Sequence, residues 1–507
     1  MRETEVRFSV NEKNKAKAER WFSGHESKVQ KSESLYLDTP SNHLRKAGCE
    51  LRLRRNESGI KQTIKSTGPK GSLFTRNESE IALNDFQPNL EHLRKFMKDQ
   101  RLGRFNTDTI APAFRTHVTR RAVLIPTNSG AVESVLDIGA IETENQSQEL
   151  FEVEHELKEG APKALIKTCH DFLDSVPCSI GLEGKAARGY RLLSGKQPKP
   201  VFASKFNVPA ETTLPDAIKK ILQSSFQHAM ANLPVYVQTG EMEAVHQFRV
   251  GIRRFRAALS AFSPIIDINP ARKLKSDILS VFDALGDIRN ADVFLEETLP
   301  EISATTAKYD FLNPLRSQVS LYRKNNFEEV RCFLLSNDFA RLVVDTNAWI
   351  DSQDWLRHDR PVDQLMSSRP IGEFAQRRLS KMTGKLLKLG EVAEHGNLED
   401  WHRLRIMTKK VRYSSEPLIR ITGSEEGLGF AKELSKLQDT LGKLNDLNSI
   451  ELFLTDVGKT VKERDMNTFR ERSAFCVGWG ASRAERAVSD LQPSWQKFRN
   501  NVTPMWK

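Results

Sequence analysis

The hydrophobic period of this chain changes once, between residues 195 and 212, and no single fold satisfies both halves. Upstream, apolar and polar residues alternate in ETEVRFSV, ELRLRR, IKQTIKS, AVLIP, VESVLDI and ELFEVEHEL. A period of 2 marks β-strands whose two faces meet different surroundings. Turn-forming pieces (SNHLRKAG, NESG, STGPKG, PTNSG) separate these strands, and two stretches, near 11–22 and 160–175, read as helical. The Pro-, Lys- and Ser-rich SGKQPKPVFAS at 194–204 reads as linker, and the linker is placed at 196–211. From 212 the period is 3.6, opening with a Thr cap signal in ETTLPDAIKKILQ and breaking near Pro264, Pro270, Pro314, Pro361 and Gly423.

The helical half repeats itself. HQFRVGIRRFR at 246–256 is echoed by HRLRIMTKKVR at 402–412, and LGDIRN at 285–290 by LGKLND at 441–446, each at an offset of 156. Two motifs sharing one offset indicate two copies of a helical bundle unit, about 212–340 and 370–500. With 507 residues the chain exceeds one compact core in any case.

Composition excludes more than it selects. No run of about 18 apolar residues implies a membrane span, and MRETEVRFSV lacks the apolar stretch of a secretory signal. Five scattered cysteines without a CxxC pair fit reduced thiols in a cytoplasm and argue against a disulfide framework or a zinc site. The net charge of +11 points to an anionic partner without choosing among nucleic acid, lipid and phosphate polymer.

Local charge rows carry more information. Glu3, Glu5 and Arg7 share one strand face and Thr4, Val6 and Phe8 the other. Arg52 and Arg54 share a face, as do Lys61 and Lys65, and Glu152, Glu154 and Glu156. Two arrangements satisfy this pattern. One is a sheet with a solvated, charged face. The other is a closed barrel whose charged rows face inward, carboxylates holding a hard divalent cation and cations binding phosphate oxygens.

The same segments resemble the CYTH domain of the triphosphate tunnel metalloenzymes over about residues 1–195. ETEVR at 3–7 resembles that family's opening ExExK. YLDTPSNHLRKAGCELRLRR resembles its D/E-T-P segment and paired arginines. TIK ending at Lys65, LFTRNESEIAL with Arg76 and Glu78, THVTRRAV with Arg120, VLDIG with Asp137, EVEHE and GKAARGY follow in order. The resemblance implies an antiparallel β-barrel with a tunnel and flanking helices. It assigns Glu3, Glu5, Glu152 and Glu154 to a metal and its bound water. It assigns Arg7, Arg45, Arg52, Arg54, Lys65, Arg76, Arg120, Lys185 and Arg188 to triphosphate. The cation, Mg²⁺ or Mn²⁺, would polarise a phosphoryl oxygen or activate water for in-line attack. Arg7 departs from the family's lysine. An arginine keeps its proton, so if that lysine transfers protons, turnover here is slowed, altered or lost.

On the helices, His246, Arg249, Arg253 and Arg256 form one stripe, repeated by His402, Arg405, Lys409 and Arg412, with Arg254 and Lys410 extending both rows. A solvated basic face would look the same for either helix alone, but both copies carry uncompensated like charges that an anion would relieve. HQFRVGIRRFRAALSAF and WHRLRIMTKKVRYSSE resemble the two histidine-bearing helices of a CHAD domain, over about 212–495. That resemblance implies a helical region binding inorganic polyphosphate through these ten residues.

The expected fold class is thus α+β multidomain, an N-terminal antiparallel barrel over 1–195 followed by an all-α domain of two repeated bundles over 212–500. The expected function is metal-dependent hydrolysis of inorganic triphosphate to pyrophosphate and phosphate, with polyphosphate held by the helices. The expected setting is the cytoplasm, with polyphosphate granules as a possible station, no specific nucleic acid and no membrane. Adenylyl cyclase, thiamine triphosphatase and a non-catalytic polyphosphate scaffold are the alternatives. Few aromatics interleave the basic stripes, which disfavours base stacking.

Overall fold

The structure is a computed structural model that describes residues 2–67, 73–103, 106–203, 208–305, 310–357 and 369–502, with side chains 108, 270, 443–449 and 484–487 left aside. The expected break at Pro361 and part of the linker (204–207) lie outside the described residues, as do the side chains of LGKLND from Lys443 onward. The chain divides into two compact units. One comprises Met1–Pro200, Met230–Thr239 and Arg331–Ser352, the other Val201–Ala229, Gly240–Val330 and Gln353–Lys507.

The first unit is built on β1 (Arg2–Ser9), β2 (Lys28–Asp38), β3 (Cys49–Asn56), β4 (Gly59–Thr67), β5 (Thr75–Leu83), β6 (Ala111–Thr127), β7 (Gly130–Glu142), β8 (Ser147–Gly160) and the short β9 (Ser179–Ile180). All pairings are antiparallel, in the order β5-β4-β3-β2-β6-β7-β8-β1-β9, and β5 also pairs with β1. That last pairing closes eight strands into a barrel, which removes the sheet edges. Tight hairpins set the register. Between β6 and β7, Gly130 has φ +150°, and an added Cβ would stand 2.0 Å from the Glu159 carbonyl oxygen, so no other residue fits there.

Closure decides between the two arrangements that strand alternation allowed. On β1, Val6 and Phe8 are 2% and 0% exposed, but Glu3, Glu5 and Arg7 on the opposite face are only 6%, 7% and 8% exposed. Both faces are buried, which a solvated sheet face would not permit. The outward side is the apolar one. Leu35, Leu37, Leu51, Leu53 and Ile64 pack with Leu93, Phe96 and Met97 of the helix α3 (Leu90–Asp99), and with Leu44 of α2 (His43–Lys46). Behind β1 and β8, Phe8, Trp21, His155 and Phe172 form an aromatic cluster with α1 (Lys15–Ser23) and α4 (Pro162–Ser175). The helices expected near 11–22 and 160–175 are therefore present. α2, α3 and α5 (Lys185–Ser194) are additional, α3 being capped by Asn89, whose side chain accepts from the His92 amide.

The second unit is helical. α6 (Leu214–Thr239) begins after Thr213, whose hydroxyl donates to Asp216, and its last residues, from Met230, count with the first unit. α7 (Met242–Ala261) carries HQFRVGIRRFR and α8 (Arg272–Val293) carries LGDIRN. The second copy has the same order. HRLRIMTKKVR lies on the helix Leu398–Thr422, which opens with an Asn397/Asp400 capping box and ends at Gly423 with φ +60°. LGKLND lies on the helix Glu425–Gly458. Among the described residues, no helix is long and apolar enough to cross a membrane.

Candidate functional site: a charged lumen and a basic helical stripe

Strand register places the inward charges opposite one another. Arg7 faces Glu154 across β1–β8, Glu3 faces Arg76 across β1–β5, Lys65 faces Glu78 across β4–β5, Arg120 faces Asp137 across β6–β7, and Asp137 faces Glu152 across β7–β8. The side chains fall into two groups. In the first, acids and bases interlock. Lys185, the first residue of α5, donates to Glu152 (2.5 Å) and Glu154 (2.8 Å) and lies 2.9 Å from Asp137. Arg7 pairs with Glu5 and approaches Glu154 at 3.5 Å. Lys65 grips both oxygens of Glu3, at 2.6 and 2.7 Å. Arg120 forks onto Asp137 at 2.6 and 2.8 Å. Arg188 reaches Glu152 at 3.8 Å.

The second group is almost purely cationic. Arg52 and Arg54 lie on β3 beside Arg120, and among the described residues neither ion-pairs with a carboxylate. Arg52 meets Thr63 at 3.4 Å, and its Nε is buried without a hydrogen-bond partner. The proton affinity of Arg54 is pulled down to about 9, first by Arg52, then by burial and Arg120. For Arg52, burial is outweighed by Tyr36 and Glu50, which raise its proton affinity; for Arg54, Asp137 and Tyr36 oppose the lowering only in part, and a polyanion would relieve the rest.

Burial pushes every lumen carboxyl up, and its neighbours decide the outcome. For Glu5, Arg7 overrides burial and holds it down at about 2. Lys185, Arg120 and Arg7 hold Glu154 low, and Lys185 and Arg120 do the same for Asp137. For Glu3, burial wins over Lys65, with Glu5 and Glu78 adding to it, and the carboxyl rises to about 7. Glu152 is likewise raised, by burial and by Glu154. These shifts predict a barrel destabilised at both ends of the pH range. Stability from Glu5 is present above the ordinary carboxylate value near 4.5 and is lost as pH falls toward about 2. Stability linked to Glu3 is full below 4.5 and is lost as pH rises through about 7. Thermal melts in EDTA should show both declines, Glu5→Gln shrinking the acid limb and Glu3→Gln the neutral one.

The acidic group is an all-oxygen donor set suited to a hard cation, and the carboxyls of Glu3 and Glu152, raised by burial despite Lys65 and Lys185, are what such an ion would offset. Among the described residues no three acidic, His or Cys side chains gather closely enough to hold an ion alone. Mg²⁺ usually takes one or two carboxylates, water and phosphate oxygens of its substrate, so these residues fit a cation that arrives with the polyanion.

The lumen therefore collects Glu3, Glu5, Glu152, Glu154, Arg7, Arg52, Arg54, Lys65, Arg120 and Lys185. Arg76 and Arg188 stand at its margin, Arg76 3.9 Å from Glu50. Arg45 is not gathered with them. It is exposed on α2, over the Tyr190 ring at 5.0 Å. Three contributors outside the expected site set are Asp137, fully buried in the lumen, Tyr36 beside Arg52, and Gly184. An added Cβ on Gly184 would stand 2.9 Å from Arg7 Nη1, so the bare Cα makes room for the guanidinium.

In the helical unit, His246, Arg249, Arg253 and Arg256 share one face of α7. Burial and then Arg253 lower the proton affinity of Arg249 to about 10, and burial and Arg289 lower that of His246. Tyr413 joins the two copies, with Arg253 over its ring at 4.5 Å and Arg412 at 5.8 Å. Arg405 and Lys409 are half-buried, His402 and Lys410 exposed. Arg254 turns away from the stripe, into a small cavity lined by Ser225, Glu416 and Arg420.

Residues 1–190 match the family model of the CYTH domain, and residues 220–455 that of the CHAD domain. An inorganic triphosphatase of Haemophilus influenzae is 30% identical over 170 residues, covering 32% of this chain and 46% of that protein. The chain thus spans about half the length of that curated relative. Among solved structures, the CHAD domain from the plant Ricinus communis shares 24% identity at a TM-score of 0.49, covering 60% of this chain and 96% of that one. PptA from Streptomyces chartreusis shares 17% identity at a TM-score of 0.39, covering 56% and 100%.

Proposed function

The chain is a CYTH domain over residues 1–190 followed by a CHAD domain over residues 220–455, and from that premise we propose that it hydrolyses inorganic triphosphate in the barrel and binds inorganic polyphosphate on the helices. The observation that carries this reading is the lumen itself, where Arg52 and Arg54, which make no ion pair with a carboxylate among the described residues, stand beside the interlocked acids and bases around Lys185. The inorganic triphosphatase of Haemophilus influenzae supports the substrate class.

In this mechanism Arg52, Arg54 and Arg120 bind the phosphoryl oxygens, and their fixed positive charge offsets charge that develops on the leaving pyrophosphate. Glu5, Glu152 and Glu154, with Glu3 behind Lys65, would hold Mg²⁺ or Mn²⁺, which when bound polarises a phosphoryl oxygen and lowers the pKa of water. Water attacks the terminal phosphorus in line, the bridging P–O bond breaks, and pyrophosphate leaves. Arg7 keeps Glu5 and Glu154 in place. Its proton is held more tightly than usual by those carboxylates, so it orients and does not exchange protons. The fixed charge of Arg7 also favours a second reading, a barrel that binds without turnover. Phosphate release from triphosphate with Mg²⁺ separates the two, and a rate no higher than that of a Glu5→Ala, Glu154→Ala control would leave only the binder.

The two activities belong to separate domains in this reading, 1–195 and 212–500, in a cytoplasmic protein able to sit at polyphosphate granules. Replacing His246, Arg253, His402 and Lys409 by alanine should weaken long-chain polyphosphate binding and reduce its salt slope by about 2, one for each permanent cation removed. Triphosphate hydrolysis should stay largely intact. Parallel loss of both activities would contradict separate sites.

A further inference from the structure

In the first copy of the helical repeat, two guanidinium groups share one aromatic ring. Phe282 on α8 lies beneath both Arg249, 4.3 Å from its centroid, and Arg256, at 4.7 Å. Arg249 is also fixed by its Nη1, which donates to the Phe282 carbonyl oxygen at 2.6 Å. Gly286 adds a third constraint. An added Cβ there would stand 3.1 Å from Arg249 Nη1. Gly286 lies inside α8, where glycine weakens a helix relative to alanine, and no positive φ requires it. What its bare Cα accommodates is the guanidinium.

Among the described residues, the second copy differs at the two corresponding positions. At the offset of 156, Gln438 stands where Phe282 does, and Gly442 where Gly286 does. A Cβ on Gly442 would meet no described atom within 4 Å. Positive charge is dense around Arg249, with Arg253 and Arg289 nearby. Asp283 and Asp287 oppose them from a distance without ion-pairing to Arg249, and Arg289 itself pairs with Glu297 at 3.3 Å.

Resting on the reading that the helical domain binds polyanions, we propose that its two copies are not equivalent. The first is the anchoring phosphate subsite, gripped by Arg249, Arg253 and Arg256, with Phe282 and Gly286 as positioning residues. The second copy supplies positive charge along the rest of the polymer. A guanidinium binds phosphate as a planar fork, so its orientation matters in a way a lysine's does not. A fork already held by a ring, a carbonyl and a close backbone loses little rotamer freedom when phosphate arrives. The ring also attracts both cations and offsets part of their repulsion.

The test uses the full-length chain with long-chain inorganic polyphosphate as probe, measuring affinity and Tm for Gly286→Ala, Gly442→Ala, Phe282→Leu and Phe282→Tyr. Both alanine substitutions add helix propensity, so Tm should hold or rise in each. Gly286→Ala should nevertheless weaken binding about tenfold, and Gly442→Ala by less than about twofold. Phe282→Leu should weaken binding to a similar degree, and Phe282→Tyr, which keeps the ring, should retain most of the affinity. If the unmodified chain binds but Gly286→Ala and Gly442→Ala bind equally well, or Phe282→Leu loses nothing, the asymmetry is overturned and the polyanion reading stands. If the unmodified chain does not bind, both fall.

Discussion

Lys185→Met should cost the barrel about 3–5 kcal/mol and abolish turnover. Lys185 is the common partner of Asp137, Glu152 and Glu154; Lys185, Asp137 and Glu152 are buried and Glu154 is largely shielded from water. Removing one member of a buried ion network leaves the others desolvated without compensation, which costs more than the network contributed net. Arg120 and Arg7 remain and set the lower end of the range. The expected drop in Tm is about 6–20 °C for a domain of this size. It should shrink at low pH, where the stranded carboxyls take up protons, and shrink again when Glu152→Gln is added. A Lys185→Met barrel melting within about 2 °C of the unmodified one would show that Lys185 is not the centre of this network.

Arg54→Met should behave in the opposite way, lowering kcat/KM for triphosphate by about 100- to 1000-fold without lowering stability. Arg54 has no carboxylate partner among the described residues, and Arg52, burial and Arg120 all disfavour its charge. Removing it relieves repulsion in the empty lumen and removes a grip on the substrate in the filled one. Stability and activity thus separate at this position, as expected where a site is held strained for its ligand. Steady-state kinetics beside thermal melts checks the pair of outcomes. A matching fall in both would mean that Arg54 is structural.

The strands and the change of period were legible because side-chain alternation is a local property. What the charged rows face was not, because β1 meets β5 across more than 60 residues of intervening chain, and closure alone buries Glu3, Glu5 and Arg7. Alternation in ETEVRFSV fits a solvated face equally well. Arg52 and Arg54 were legible as a row, but their lack of a carboxylate ion pair among the described residues depends on which strands neighbour β3. Asp137 is less legible, because a single acid in the apolar VLDIG forms no charge row. Its importance comes from register, which sets it against both Arg120 and Glu152. Lys185 stands on a helix rather than a strand, so no period could aim it into the barrel. Arg45 shows the converse, a cation in the right segment that the short helix α2 carries to the surface. In the helical half the stripe was legible from spacing, and Arg254 was a false extension, since its neighbour Arg253 lies about 100° away around the helix. Phe282 was invisible because it lies on the next helix and contributes a ring, not a charge.

The measurement that bears most directly on the account is anomalous diffraction from crystals grown with Mn²⁺ and a non-hydrolysable triphosphate analogue. An Mn²⁺ peak is expected inside the barrel on the side of Glu5, Glu152 and Glu154, with the phosphate chain extending toward Arg52, Arg54 and Arg120. Manganese and phosphate bound only on the outer surface, with the lumen ion pairs of Lys185 and Arg7 unchanged, would contradict it.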